Sequence, residues 1–184
     1  MNPWSLPTCA TFGDKVYPIH ADFRDILDIF RYLNDPAQPE NVRWQIALAL
    51  FYEDPIPPEY TQAAFDFFTA FIAYGSKPSQ SGPRLLDWEQ DAPVILADVN
   101  KAAGTEIRAL PFVHWWTFLS WFHAIGEGQL STLVSIREKL RTGKKLEPWE
   151  QDYYRKNRDS INLDRQYSPE ELAEQDRLKK LLGT

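Results

Sequence analysis

A single cysteine, Cys9, stands in 184 residues. A disulfide within the chain and a thiolate zinc site are both excluded by that count. Histidine is nearly as scarce: His20, His114 and His123 are the only three. His114 and His123 lie nine residues apart, about 900° on one helix, so they point opposite ways and cannot chelate together. The eight glycines are spread singly over turns and caps, which leaves no phosphate-cradling loop. No Gly-x-Ser-x-Gly nucleophile turn occurs. The longest apolar stretch runs from Pro111 to Ile125, about 15 residues against the ~20 a membrane span needs. Met1 to Ala10 contains no basic-then-apolar leader. Positive charge is also short. The chain carries a net −6, and only from Arg137 onward do Lys and Arg outnumber Asp and Glu, there interleaved with them. A phosphate-backbone surface needs a concentrated basic patch, so nucleic acid is an unpromising partner.

Aromatic mass is what the chain does have. Apolar residues make up 43% and aromatics 14%, with seven Trp. Such a chain can bury a sizeable core, and disorder along its whole length is excluded. The expected class is mainly α, a bundle of about seven to eight helices behind a short N-terminal β-hairpin. Residues 1–20 hold the hairpin, Thr8 to Phe12 and Lys15 to Ile19 around the turn pair Gly13-Asp14. Residues 21–163 form the helical domain, interrupted by a Gly/Ser/Pro-rich linker at about 75–84. Residues 164–184 form an amphipathic C-terminal helix with a thin leucine stripe.

Periodicity places the helices. Phe23, Ile26, Leu27, Phe30 and Leu33 form one 3.6-residue stripe over Asp22 to Leu33. The second helix, about Pro39 to Tyr52, is given Val42, Ile46, Ala49 and Leu50 as its inner face. The third, about Pro58 to Tyr74, turns Tyr60, Ala64, Phe67, Phe68, Phe71 and Ile72 to one side. The fourth, about Trp88 to Ala103, opens on Asp87 and Gln90, a capping-box pattern, with Pro93 a potential kink. The fifth, about Pro111 to Ile125, is apolar nearly all round, a pattern that belongs in a core or an interface. Only Trp116, Thr117, Ser120, His123 and Ala124 fall outside its apolar arc. The sixth, about Leu130 to Arg141, puts Leu133, Ile136, Arg137 and Leu140 inward. The seventh, about Pro148 to Arg158, sets Trp149, Tyr153 and Tyr154 among charges.

No catalytic constellation emerges. Asp87, Glu89 and Asp91 crowd a helix start, where acids stabilise the positive end of the dipole. A hydrolytic or metal site would need these acids to converge with Asp98 and another segment. Cys9 has no histidine near it in sequence. No enzyme activity and no cofactor are expected. The aromatics point instead to core packing or to a protein-binding groove.

Three segments carry a resemblance. The first is Gly13-Asp14-Lys15-Val16-Tyr17-Pro18-Ile19-His20-Ala21-Asp22-Phe23-Arg24. The second is Leu86-Asp87-Trp88-Glu89-Gln90-Asp91-Ala92. The third is His114-Trp115-Trp116-Thr117-Phe118-Leu119, followed by an Arg137-centred helix and Trp149-Glu150-Gln151-Asp152-Tyr153-Tyr154-Arg155-Lys156. In this order and spacing they resemble the bacteriophage gene-product-fifteen family over roughly residues 6–163. The resemblance implies a protein of the tail-morphogenesis region of long-tailed phages, similar to a tail assembly chaperone that keeps the helical tape-measure protein soluble in the host cytoplasm. Implied partners are the tape-measure protein, other tail assembly proteins and further copies of the chain, with no nucleic acid and no membrane. The alternative is a structural or tail-completion protein retained in the particle. The residues expected to touch a partner are Trp116, Trp149, Tyr153 and Tyr154, as exposed edges of the fifth and seventh helices, together with the C-terminal helix.

Overall fold

The computed structural model describes residues 2, 4–75, 84–164, 171 and 177. The linker at about 75–84 and the C-terminal helix over 164–184 therefore fall almost wholly outside the described residues. Two strands, β1 (Cys9–Phe12) and β2 (Lys15–Pro18), pair antiparallel, with Cys9 opposite Pro18 and Phe12 opposite Lys15. Among the residues described up to 164, eight helices follow: α1 (Phe23–Leu33), α2 (Glu40–Phe51), α3 (Thr61–Ile72), α4 (Ala92–Ala103), α5 (Trp115–His123), α6 (Gln129–Arg141), α7 (Pro148–Lys156) and the single-turn α8 (Arg158–Ile161). Single 3₁₀ turns at Pro58–Tyr60 and Ile107–Ala109 lead into α3 and follow α4. The mainly α class with an N-terminal hairpin is what the periodicity predicts. No helix among the described residues is long and apolar enough to cross a membrane.

The hairpin turn is glycine-dependent. Gly13 has φ +59°, and a Cβ there would lie 2.5 Å from the Tyr60 hydroxyl oxygen. Both the left-handed backbone and the contact oppose a side chain. Gly13→Ala is therefore expected to cost about 1–2 kcal/mol, readable as a lower urea midpoint with unchanged m-value. The hairpin is fixed to the helices through Phe12, whose ring meets those of Tyr17, Tyr52, Tyr60 and Phe67.

Most of the apolar mass is one core. Phe23, Ile26 and Ile29 of α1, Ala47 and Phe51 of α2, Ala64, Phe68 and Phe71 of α3, Ile95 and Val99 of α4, and Trp115, Phe118 and Leu119 of α5 meet there. A smaller cluster of Ile136, Leu146 and Ile161, with Tyr153 and Tyr154 against it, joins α6 to α7 and α8.

Several boundaries or faces differ from the sequence reading. On α6, Leu133, Ile136 and Arg137 are buried as expected, but Leu140, expected inward, is exposed in the last turn, beyond the reach of the core. On α2 the buried side is Trp44, Ala47, Leu48 and Phe51, while Ala49 and Leu50 are exposed. Both sides of this helix are apolar, so periodicity could not choose between them. The fourth helix begins at Ala92, because Trp88–Asp91 form a separate turn, and Pro93 sits in its first turn, where a missing N–H costs nothing. The fifth begins at Trp115, with Pro111–Val113 drawn out to meet the start of α1: the Phe23 amide donates to the Val113 carbonyl at 2.9 Å, and the Trp115 amide donates to the Ala21 carbonyl at 2.7 Å. The seventh is interrupted at Asn157, which caps α7 and opens α8.

Candidate functional site

Each of the three motif segments has a definite structural occupation. Asp22 opens the Asp-Phe-Arg segment as the N-cap of α1, its Oδ1 accepting from the Arg24 amide at 2.9 Å. The Arg24 guanidinium returns to both Asp22 oxygens and donates to the Leu110 carbonyl. Asp22 Oδ2 accepts the Val113 amide at 2.9 Å, which ties α1 to the approach of α5. Burial alone would raise the Asp22 carboxyl, but Arg24 and the Arg24 and Val113 amides outweigh it and hold it below the usual aspartate value.

The His-Trp-Trp segment is a second tie. The His114 Nδ1 accepts the Trp116 amide at 3.0 Å and caps α5, and its Nε2 lies 2.9 Å from the Pro7 carbonyl oxygen. A carbonyl can only accept, so Nε2 carries the proton and the ring is neutral. The indole of Trp115 donates to the Ile72 carbonyl at 3.2 Å and that of Trp116 to the Phe71 carbonyl at 2.8 Å. These carbonyls belong to the last turn of α3, where a helix leaves its acceptors without intrahelical partners.

Burial holds the His114 pKa below its ordinary 6.5, although the bond to Pro7 works the other way. The unfolded chain therefore takes up the proton first as pH falls. Stability is expected to drop as pH passes below about 6.5, and that part of the drop should vanish in His114→Asn, whose side-chain oxygen can still cap α5. Urea midpoints of both proteins from pH 7.5 to 5, above the range where carboxylates titrate, check it.

The Leu-Asp-Trp-Glu-Gln-Asp segment is a third tie. Asp87 Oδ1 accepts the Glu89 and Gln90 amides. Asp91 and Arg137 form a buried two-pronged ion pair, at 2.6 Å from Nη1 to Oδ2 and 2.8 Å from Nη2 to Oδ1. Arg137 also donates to the carbonyls of Ile161, Leu85 and Ser160. The Gln90 side chain donates through Nε2 to the Asn162 carbonyl at 2.7 Å and accepts the Asp164 amide at Oε1 at 3.0 Å. This segment thus latches α6 and residues 160–164 onto the start of α4. Asp98, two turns along, accepts the Leu130 amide at 2.9 Å at the start of α6. Asp98 is occupied by that bond.

The four residues expected at a partner surface divide. Trp149 is 58% exposed. Tyr153 and Tyr154 are half-buried against Ile136, Leu146 and Ile161, and the Tyr154 hydroxyl donates to Asn162 Oδ1. Trp116 is only 2% exposed, which corrects the expectation of an exposed edge. It lies one residue into α5, and its ring is enclosed by Phe71, Tyr74 and His114. Among the described residues no group of three or more His, Cys, Asp and Glu is placed to hold a metal ion.

The model of the family described as bacteriophage Gp15 protein matches residues 5–163. The chain belongs to that family. The match ends where the latch ends, at the residues held by Gln90 and Arg137, so the Gp15 unit is the hairpin and the eight helices taken together. No curated protein and no solved structure matches the chain.

Surface outside the ties is where sequence reading and structure part furthest. Trp4, Leu6, Val16, Tyr32, Leu50, Phe112 and Trp149 are exposed large apolar side chains. For Leu50 the signal in the sequence was weak, because an apolar residue on a second face of a helix scores like one on the first.

Proposed function

We propose that this Gp15-family protein is a tail assembly chaperone that binds the tape-measure protein during phage tail morphogenesis, in the host cytoplasm and without catalysis. The observation that carries the reading is a division of labour. The motif polar groups described above are spent on capping helices and tying segments, while large apolar side chains, Trp149 among them, stand in solvent. Exposed aromatic anchors on a firmly tied helical scaffold suit the capture of an apolar helix face, which is read through side chains at i, i+3, i+4 and i+7. Membership of a bacteriophage family supports a morphogenesis role, and the tape measure offers long helices with such faces.

Co-expression with the tape-measure protein of the same phage tests the reading. The tape measure is expected to move into the soluble fraction and to co-purify with the tagged chain, and purified virions are expected to lack the chain. Insoluble, unbound tape measure would reject the chaperone reading, and stoichiometric retention in virions would favour a structural tail protein.

A further inference from the structure

The α2 helix carries two apolar stripes. Trp44, Ala47, Leu48 and Phe51, at i, i+3, i+4 and i+7, face the core, with Trp44 edge-on to Phe65. Val42, Ile46, Ala49 and Leu50, at i, i+4, i+7 and i+8, form the second stripe, in which Ala49 and Leu50 are exposed and Val42 and Ile46 partly so. A helix apolar on both sides is normally covered on both. Clefts border this outer stripe on each flank. One, of about 350 Å³, is lined by Leu48, Ala49, Ile56, Glu53 and Asp54 among others. The other, of about 280 Å³, lies between Leu50 and Tyr32, with Asp25, Asp28, Arg31 and His20 around it.

The rims are acidic. Glu53 and Asp54 edge the first cleft and Asp25 and Asp28 the second. Lys15 lies 3.3 Å from Asp54 and Arg31 lies 3.5 Å from Asp28, both as exposed pairs of small worth. Asp25 has its pKa raised by burial and then by the charge of Asp22, with His20 and Arg24 opposing. A second copy of the chain would bring a second set of the same acids to the stripe, which like-charge repulsion disfavours.

We infer that the outer stripe of α2, Val42–Ile46–Ala49–Leu50 with Tyr32, is a docking surface for an amphipathic helix whose apolar stripe is edged by Lys and Arg. The inference rests on the chaperone reading and names the partner chemistry for it. The apolar anchors of the incoming helix lie along Ile46, Ala49 and Leu50, and its basic edges meet Glu53 and Asp54 on one flank and Asp25 and Asp28 on the other.

Two synthetic peptides of about 18 residues, long enough to hold a helix, test it by fluorescence anisotropy on the full chain. They share a leucine stripe and differ only in Lys or Glu edges. The Lys-edged peptide is expected to bind, and the Glu-edged one at least about tenfold more weakly. Leu50→Lys and Glu53→Lys, both at exposed positions, are each expected to weaken the Lys-edged peptide by about tenfold, while Glu127→Lys, an equally exposed charge reversal between α5 and α6, leaves it unchanged. Equal binding of the two peptides, undiminished binding to Leu50→Lys, or a chain dimer that Leu50→Lys dissolves would overturn the proposal. The tape measure separates the two readings. If the wild type leaves it insoluble while the peptide results hold, the chaperone reading falls and the surface stands. If wild type and Leu50→Lys hold it equally well, the surface falls and the chaperone reading stands.

Discussion

Asp91→Ala is expected to destabilise the fold by about 3–5 kcal/mol, the cost of leaving one partner of a buried ion pair uncompensated. Arg137 and Asp91 are both buried, and the guanidinium satisfies three carbonyls besides the carboxylate. Without Asp91 the charge of Arg137 stays in place, held by carbonyl dipoles alone. The Asp87 amide, which donates to Asp91 Oδ2 at 2.8 Å, loses its acceptor as well. At this chain length the loss corresponds to a fall in Tm on the order of 10 °C. Replacing both residues by leucine is not expected to restore stability, although buried pairs elsewhere tolerate that exchange, because the carbonyls of Leu85, Ser160 and Ile161 would then be left buried without Arg137. Urea unfolding of Asp91→Ala and of the double variant measures both costs. A loss below about 1 kcal/mol for Asp91→Ala would mean that water reaches the guanidinium.

Trp116→Ala is the second large effect, about 3–5 kcal/mol, from the cavity left by a buried indole and the unmade bond to the Phe71 carbonyl. Trp149→Ala is expected to stay within about 0.5 kcal/mol, since its ring is mostly in solvent. Trp116→Phe separates the two contributions, keeping most of the ring volume and losing only the N–H. Thermal unfolding of the three variants side by side gives the ranking. Equal, small effects at Trp116 and Trp149 would place both on the surface and undo the distinction drawn between them.

That distinction marks what could be read from the residues alone. The α1 and α3 stripes, the hairpin turn and the Leu133, Ile136 and Arg137 part of the α6 face were legible because each is apolar on one side only or carries a glycine where the backbone demands one, whereas Leu140 continues the α6 period past the point where anything packs on it. Arg137 on an inward stripe was itself a signal, since a buried guanidinium requires an acid, and Asp91 lay within the segment already singled out. The partner could not be assigned, because an ion pair 46 residues apart leaves no periodic trace. The two faces of α2 were ambiguous for the opposite reason: both are apolar, and only the positions of α1 and α3 decide which one is inside. Trp116 was misplaced because Phe71 and Tyr74, at and just after the end of α3, cover the side of α5 on which it stands, and α5 starts four residues after the prolyl end of its apolar run and one after His114. An imidazole serving as a helix cap is invisible to a hydrophobicity pattern.

We propose that this Gp15-family chain binds a tape-measure helix on its exposed apolar surface while its motif residues hold the scaffold. Amide hydrogen exchange of the chain, alone and bound to the co-expressed tape-measure protein, tests it directly. Slowed exchange is expected along the solvent-facing side of α2 and around Trp149, with the Asp22, His114 and Asp91–Arg137 ties unchanged. Slowed exchange confined to those ties, with the exposed surface unaffected, would contradict it.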